Sequence, residues 1–270
     1  MSVMSSPSSL PTSDLFYQYY DALFSNKEYA LEVAAINRLA KQWSSAKVGP
    51  VLEIGCGTGG HSLEIAKLGL SLTAIDLDLQ MLKQTRKKLQ DHKIYNVTLH
   101  HGPVENLEES GFSLAIAMFN VINYLPDSEG LQNFFRAISN RMLSGGVIIF
   151  DCWNGVAALR SPPGEKKSVI RLGEEEISFH LLSTTDLFRQ RTILTYAIEV
   201  RDTTEKLVAA GEQSFMQTLW TPMQIMDAMT MAGLEISNCS PLHDLNKKAD
   251  HNDWKIQFVG RKREQTTHPE

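Results

Sequence analysis

Cysteine is scarce in this chain. Cys56, Cys152 and Cys239 are the only three in 270 residues, and no C-x-x-C pair occurs. That excludes a disulfide framework and a structural zinc ribbon, and it suits a reducing, cytoplasmic compartment. His100 and His101 are adjacent, so on a strand they point to opposite faces and cannot act as a ligand pair, and no metal motif is expected. No apolar run approaches the roughly 18 residues that a membrane span needs. The first residues, M-S-V-M-S-S-P-S-S-L-P-T-S, lack both the basic start and the apolar stretch of a signal peptide. Residues 1–13 are therefore expected to be a disordered leader and 263–270 a frayed tail. There is no basic surplus either. Lys and Arg total 26 against 31 Asp and Glu, a net charge of −5, which argues against nucleic acid as a partner. The basic run from Lys83 to Lys93 reads as the solvated face of a helix.

What is present is ordinary globular composition, 43% hydrophobic and 21% charged, arranged as alternating strands and helices. Residues 14–46 read as helical, with one apolar face over Leu15–Leu23 and a second amphipathic stretch over Leu31–Trp43. V51-L-E-I54 is a short buried strand that runs straight into glycines. A helix follows from His61 to Leu68, with Gly69 as its C-cap, then a strand over S71-L-T-A-I-D76. Leu79 to Gln90 is a helix capped by Asp78, V97-T-L-H100 is the third strand and S113-L-A-I-A-M-F119 the fourth. A helix capped by Ser128 runs to Leu143, and V147-I-I-F150 is the fifth strand. This alternation predicts an α/β fold, a doubly wound, mostly parallel seven-stranded sheet whose ligand lies beyond the carboxyl ends of the strands. Glu53–Gly60, Asp76, Gly102–Glu105, Phe119–Tyr124 and Asp151–Asn154 all fall there.

After Trp153 the period changes. E174-E-E-I-S-F-H-L-L182 and R191-T-I-L-T-Y-A-I-E-V200 alternate apolar and polar residues, as antiparallel strands do. Thr221-Pro222 opens a last helix, and L234-E-I-S-N-C and W254-K-I-Q-F-V259 are the final strands. The expected organisation is a cofactor-binding α/β domain over 14–153, an antiparallel insertion over 154–220, and a helix and strands over 221–262 that complete the sheet.

The stretch E53-I-G-C-G-T-G-G60 matches G-x-G-x-x-G through Gly55, Gly57 and Gly60, and E-x-G-x-G-x-G through Glu53, Gly55, Gly57 and Gly59. Either a pyrophosphate or a sulfonium nucleoside could use such a loop. Asp76 does not decide between them, because an acidic residue roughly 20 positions on holds ribose hydroxyls in either case. Glu53 does discriminate. A carboxylate at the strand end repels a pyrophosphate and attracts a sulfonium or ammonium. The long helical stretch before the first strand and the missing second mononucleotide unit point the same way.

With these residues in view, the chain resembles the class I S-adenosylmethionine-dependent methyltransferases. E53-I-G-C-G-T-G is similar to their cofactor loop, A74-I-D76-L-D to their ribose-binding strand end, and L143-S-G-G146 to the turn before their fifth strand. Y19-Y-D-A-L-F-S-N-K-E-Y29 and M118-F-N-V-I-N-Y-L125 resemble the small-molecule N-methyltransferases, especially those acting on amino sugars and more loosely on glycine. The resemblance implies S-adenosylmethionine as cofactor and a small-molecule acceptor, most naturally an amine. It implies that the insertion is a lid over the acceptor. Gly55, Cys56, Gly57 and Gly59 would line the methionine moiety, with Glu53 at their start. Asp76 would take the ribose hydroxyls, Leu77 and Met81 would pack on the adenine, and Val104 and Glu105 would be cofactor-binding, with the contact to the adenine amine either missing or supplied by Glu105 or Asn106. Phe119 and Asn120 would face the amino-acid end. Tyr20 would close the site, and Tyr20 and Tyr124 would stand near the transferred methyl.

Two positions depart from that pattern. Gly102-Pro103-Val104 replaces the usual Gly-Asp that reads the adenine amine, and Tyr124 replaces the His that the amino-sugar enzymes carry. A cofactor-binding partner subunit without its own catalysis, or an O-methyltransferase, is the alternative, and a homodimer stays open as the assembly. Cys56 reads as a small filler rather than a nucleophile. Trp153 and Trp220 read as core packing before an acceptor wall, and His61 suits a helix start as well as a site. Met223, Met226, Met229 and Met231, on one short helix, read as packing residues.

Overall fold

The computed structural model describes residues 14–264; the expected leader 1–13 and the tail beyond 264 lie outside the described residues. In chain order the elements are α1 (Asp14–Gln18), α2 (Tyr20–Leu23), α3 (Tyr29–Trp43), β1 (Val51–Ile54), α4 (Gly60–Lys67), β2 (Leu72–Asp76), α5 (Leu79–Asp91), β3 (Val97–His101), β4 (Phe112–Ala117), α6 (Ser128–Arg141), β5 (Met142–Trp153), α7 (Gly155–Arg160), β6 (Lys166–Leu172), β7 (Glu175–Asp186), β8 (Arg191–Arg201), β9 (Leu207–Thr218), α8 (Pro222–Met231), β10 (Leu234–Pro241) and β11 (Lys255–Lys262). Short 3-10 turns span Val104–Asn106 and Val121–Tyr124. The chain divides into two compact units. One joins the N-terminal residues up to Lys27 with Pro162–Gln217, and the other joins Glu28–Ser161 with the residues from Thr218 onward.

The second unit is built on a seven-stranded sheet of order β10-β11-β5-β4-β1-β2-β3. β1 to β5 run parallel, whereas β11 is antiparallel to both β5 and β10. Alternate residues of the central strands face opposite ways, and both faces are covered, which is why those strands are apolar throughout. On one face Val51, Ile116 and Val147 meet Val33, Ile36 and Leu39 of α3 and Ile65 of α4. On the other, Leu52, Ala115 and Phe150 meet Phe134, Phe135 and Ile138 of α6 and Ile225 and Met229 of α8. Phe150 and Phe258 stack at 5.2 Å across β5 and β11, with Phe135 5.3 Å from Phe150. Among the described residues no helix is long and apolar enough to cross a membrane.

Several local expectations differ from the structure. The stretch 14–46 holds three helices, two short ones before a break near Phe24–Glu28 and a longer one ended at Ser44. Asp127, not Ser128, caps α6; its carboxylate accepts from Gly130 N at 2.8 Å. The turn expected at L143-S-G-G146 lies within β5, which begins at Met142. Pairing slips there between Phe112 and Leu114, and Gly145 absorbs the irregularity at φ +74°. β4 ends at Ala117, so Phe119 lies outside it. Met229 is buried and Met226 partly so, but Met223 and Met231 are exposed rather than packed. Asp78 caps α5 through Gln80 N and Met81 N, and Thr221 forms a capping box with Gln224 ahead of Pro222, as read from the sequence.

The smaller unit is a four-stranded sheet, β6-β7-β8-β9, antiparallel where β7 meets β6 and β8. Within it Phe16 of α1 packs 5.2 Å from Tyr196 and 4.9 Å from Phe215. Tyr19 donates to the Glu175 carboxylate at 2.8 Å, and Tyr20 packs at a tilt against Phe24, 4.7 Å between ring centroids.

Candidate functional site

The carboxyl ends of β1, β2, β4 and β5 carry the candidate site. At β1 the chain turns through Gly55, Gly57 and Gly59, all left-handed, with φ of +68°, +56° and +79°. Two of these glycines answer to packing as well as to backbone angle. A Cβ on Gly55 would fall 2.6 Å from Val121 Cγ2, and one on Gly59 would fall 2.7 Å from Thr85 Cγ2. A Cβ on Gly57 would meet nothing within 4 Å. The loop therefore passes closely under open space at Gly57, as a backbone that must approach a ligand does.

The loop is pinned from below. Gly55 N and Cys56 N both donate to Ile75 O, at 2.8 and 3.1 Å, and Gly57 N donates to the Asp76 carboxylate at 2.7 Å. Thr85 Oγ1 donates to Gly57 O at 2.6 Å. These three amides are thus already engaged, and the loop offers a ligand space and carbonyl groups rather than those N–H donors. Cys56 is buried and its thiol is pushed well up by burial first and then by the charges of Glu53 and Asp76, which leaves it inert, as its reading as a filler requires.

Two carboxylates flank this loop. Glu53 is 2% exposed and accepts from Ser62 Oγ at 2.5 Å. Burial pushes its carboxyl up to about 8; the Ser62 bond opposes this, and the Asp76 charge adds to it. Asp76, at the end of β2, accepts Gly57 N on one oxygen and Asp78 N on the other at 2.9 Å. Burial raises its carboxyl as well, offset by those amide bonds. An ionised carboxylate has about four acceptor sites, so both oxygens keep capacity for hydroxyl donors. Two acidic groups beside a glycine loop make a place for a cation and a poor one for a pyrophosphate. These residues fit a sulfonium nucleoside: Asp76 could accept from a ribose, Glu53 could face positive charge, and Gly57 leaves room above it.

Asp76→Ala is expected to weaken S-adenosylhomocysteine binding by about 1–2 kcal/mol, because it removes hydroxyl acceptors and the brace on Gly57 together. Asp76→Asn, which keeps an acceptor for the brace, should lose less. Calorimetry on both variants checks the order.

The remaining expected residues divide. Leu77 stands 69% exposed beside the Asp76 strand end, Met81 is buried on α5, and Val104 is buried in its turn. Glu105 is exposed, and its carbonyl is held by Arg141 at 2.9 Å. Phe119 and Asn120 follow β4. Tyr124 is 48% exposed at the end of a firmly held turn. There Asn123 donates to Thr218 O at 2.8 Å and accepts from Trp153 N at 3.1 Å, Thr218 Oγ1 donates to Leu125 O, and Trp220 Nε1 donates to Ile122 O at 3.0 Å. Trp220 is thereby a core residue, and Trp153 packs edge-on against Trp254 at 5.1 Å. His61 has a structural partner, Glu32 Oε2 at 2.6 Å, and lies edge-on to Tyr29, joining α3 to the start of α4. Tyr20 belongs to the smaller unit. Sequence reasoning missed Ser62, Asn123 and Asp151 as supports; an acid closing an apolar strand, F150-D151, was the visible signal for the last. Among the described residues no cluster of three His, Cys, Asp or Glu side chains could hold a metal ion.

Comparison with known proteins agrees with this geometry. Residues 51–146 match the methyltransferase domain family. The chain is 29% identical over 141 residues to dTDP-3-amino-3,4,6-trideoxy-alpha-D-glucopyranose N,N-dimethyltransferase of Streptomyces venezuelae, covering 52% of this chain and 55% of that protein. It thus spans about half the length of that relative. It is 24% identical over 211 residues to dTDP-3-amino-3,6-dideoxy-alpha-D-glucopyranose N,N-dimethyltransferase of Streptomyces fradiae, covering 78% and 79%. The fold matches an S-adenosylmethionine-dependent methyltransferase from Clostridium acetobutylicum with a TM-score of 0.77 at 19% identity, over 93% of this chain and 98% of that one. The match over residues 51–146 marks that stretch as a methyltransferase domain, and the strand order with the Clostridium neighbour shows the fold, so that the chain is similar in sequence and in fold to S-adenosylmethionine-dependent methyltransferases.

Proposed function

We propose that this protein transfers a methyl group from S-adenosylmethionine to the nitrogen of a small-molecule amine, with an amino sugar as the acceptor class. The observation that carries the cofactor half is the open space over left-handed Gly57, flanked by Glu53 and Asp76. The acceptor half leans on the two Streptomyces relatives, both named as dimethyltransferases of dTDP-linked amino sugars. The cofactor supplies an electrophilic methyl group on sulfur; the protein's part is to hold two reactants in line and to exclude water. Glu53 and Asp76 bind and orient from the β1 and β2 ends, while Leu77, Met81, Val104 and Glu105 form the adenine side. Gly55, Cys56, Gly57 and Gly59 line the middle, and Phe119 and Asn120 the amino-acid end. Tyr20 keeps the role that the resemblance implies, and residues 154–220 are assigned to acceptor selection. The reaction is placed in the cytoplasm, on a free metabolite rather than on nucleic acid.

Tyr124 is cast as an orienting group. A phenol with a pKa near 10 is a poor base at neutral pH, so its oxygen would accept a hydrogen bond from the amine while water takes the proton. Tyr124→Phe is expected to lower kcat by ~10-fold, short of the ~10²–10⁴ that follows loss of a true general base. S-adenosylhomocysteine affinity should be unchanged, and the pH profile should follow the acceptor's own pKa. A loss of several thousand-fold that erased one limb of that profile would make Tyr124 the base instead.

The whole reading is tested by titrating S-adenosylhomocysteine and NADH into the protein, and by incubating it with S-adenosylmethionine and a dTDP-linked amino sugar. Binding of the first ligand alone, and a product heavier by one or two methyl groups, is the expected result. Heat from NADH with none from S-adenosylhomocysteine would overturn the cofactor; binding without transfer to any amine, hydroxyl or carboxylate offered would leave a non-catalytic partner.

A further inference from the structure

Immediately after β4 the chain makes two consecutive left-handed residues, Phe119 at φ +72° and Asn120 at φ +63°, and neither is glycine. Side chains rarely tolerate this conformation, so two in a row persist only where something holds them. Asp151 does so. It sits on β5, the neighbour of β4, is 1% exposed, and its Oδ1 accepts the backbone N–H of both Phe119 and Asn120, the latter at 3.1 Å. The same turn meets the glycine loop, since Val121 occupies the space a Gly55 side chain would need. Beside it, the Asn120 side chain is 6% exposed and its Oδ1 has no hydrogen-bond partner. A buried acceptor left unsatisfied carries a desolvation cost that a ligand donor would remove.

Strand order gives that donor a direction. Asp76 ends β2, the glycine loop follows β1, and the Phe119–Asn120 turn follows β4, so the three are successive along the sheet. A cofactor with its ribose at Asp76 and its middle over Gly57 brings its amino-acid end to Asn120. We infer that Asp151 is a positioning residue: it locks Phe119 and Asn120 in the left-handed turn so that the Asn120 amide oxygen accepts an N–H from the amino-acid end of the cofactor. This rests on the S-adenosylmethionine reading. Asp151 makes no ligand contact of its own in this arrangement, because the oxygen that matters is spent on the two amides.

The test is calorimetry with two ligands, S-adenosylhomocysteine and 5′-methylthioadenosine, which shares the nucleoside and sulfur but lacks the amino-acid end. Asp151→Ala and Asn120→Ala should each weaken S-adenosylhomocysteine by ~10-fold or more while leaving 5′-methylthioadenosine within ~2-fold, the size expected for a lost hydrogen bond to a charged donor. Asp151→Asn keeps an oxygen that can accept both amides and should stay within ~3-fold of wild type. The double variant should bind no more weakly than Asp151→Ala alone, since one residue acts through the other. Equal losses for both ligands, additive losses in the double variant, or unchanged S-adenosylhomocysteine binding in folded Asp151→Ala would each overturn the inference. If Asp151→Ala does not fold, Asn120→Ala decides: loss of discrimination between the two ligands supports the assignment, and its retention removes it. Wild-type protein that bound neither ligand would instead sink the cofactor reading beneath it.

Discussion

Gly57→Val is expected to abolish S-adenosylhomocysteine binding, a loss of at least ~100-fold or roughly 2.7 kcal/mol, in a chain that still folds. Nothing in the protein lies within 4 Å of the site where the new Cβ would be, so the substitution creates no clash with the protein at that atom. The branched side chain would instead stand in the space that the cofactor is proposed to fill. Valine also strains a residue at φ +56°, and that strain alone could disturb the loop. Gly69 separates the two effects. It is left-handed at φ +76°, its Cβ would also meet nothing within 4 Å, and it follows the far end of α4. Gly69→Val should therefore carry a similar conformational cost, about 1–2 kcal/mol, and keep its ligand. Thermal unfolding and calorimetry on the pair make the comparison. If both variants bind as wild type does, the space over Gly57 is not where the cofactor lies.

That loop was legible in the sequence because everything it needs is local. A short apolar strand, a carboxylate, and glycines at alternate positions leave little freedom in what the backbone does. Asp76 was legible for a similar reason, since it closes the next strand of a parallel pair. Asp151 was visible only as an acid at a strand end. Its work depends on β5 lying beside β4 and on two left-handed residues in the neighbouring loop, and Phe119 and Asn120 give no local sign of that conformation. Glycine marks a positive φ in a sequence, whereas Phe does not.

Errors of extent have a different origin. The helical stretch 14–46 breaks near Phe24–Glu28, between its two amphipathic stretches, and the two short helices before the break cluster with the small sheet through Phe16, Tyr196 and Phe215. Apolar spacing could not show that the two amphipathic stretches bury their faces in different units. At β5 the glycine pair read as a stop, yet Gly145 and Gly146 lie inside the strand. Adjacent backbone crowds both: Ser113 O would lie 3.0 Å from a Cβ on Gly146, and Ala46 N 3.1 Å from one on Gly145. A glycine that relieves crowding and a glycine that ends an element look alike in one sequence.

The second large effect concerns proton release. Glu53 is buried, feels the charge of Asp76, and holds its proton up to about 8 instead of 4.5. Cys56, the other titratable group beside it, is raised further and stays a thiol. In the ligand-free protein the folded state thus keeps a proton that the unfolded chain has released between pH 4.5 and about 8. Stability from this group is fully present below 4.5 and is lost as pH rises through about 8, a swing on the order of 5 kcal/mol at ~1.36 kcal/mol per pH unit. A cationic ligand beside the carboxylate reverses the preference by favouring the ionised form. S-adenosylmethionine binding at pH 7 should therefore release close to one proton, and affinity should climb with pH until about 8 and then level. Calorimetry in two buffers of different ionisation enthalpy measures that proton. Glu53→Gln keeps an acceptor for Ser62 Oγ but cannot titrate, so its proton release should vanish and the ligand-free stability should flatten between pH 5 and 8. The ligand's own α-amino group also titrates near ~7.7–8.0, and the same variant corrects for it because that contribution is common to both proteins. Equal proton release from wild type and Glu53→Gln would remove Glu53 from the cation's surroundings and return the glycine loop to an undecided ligand.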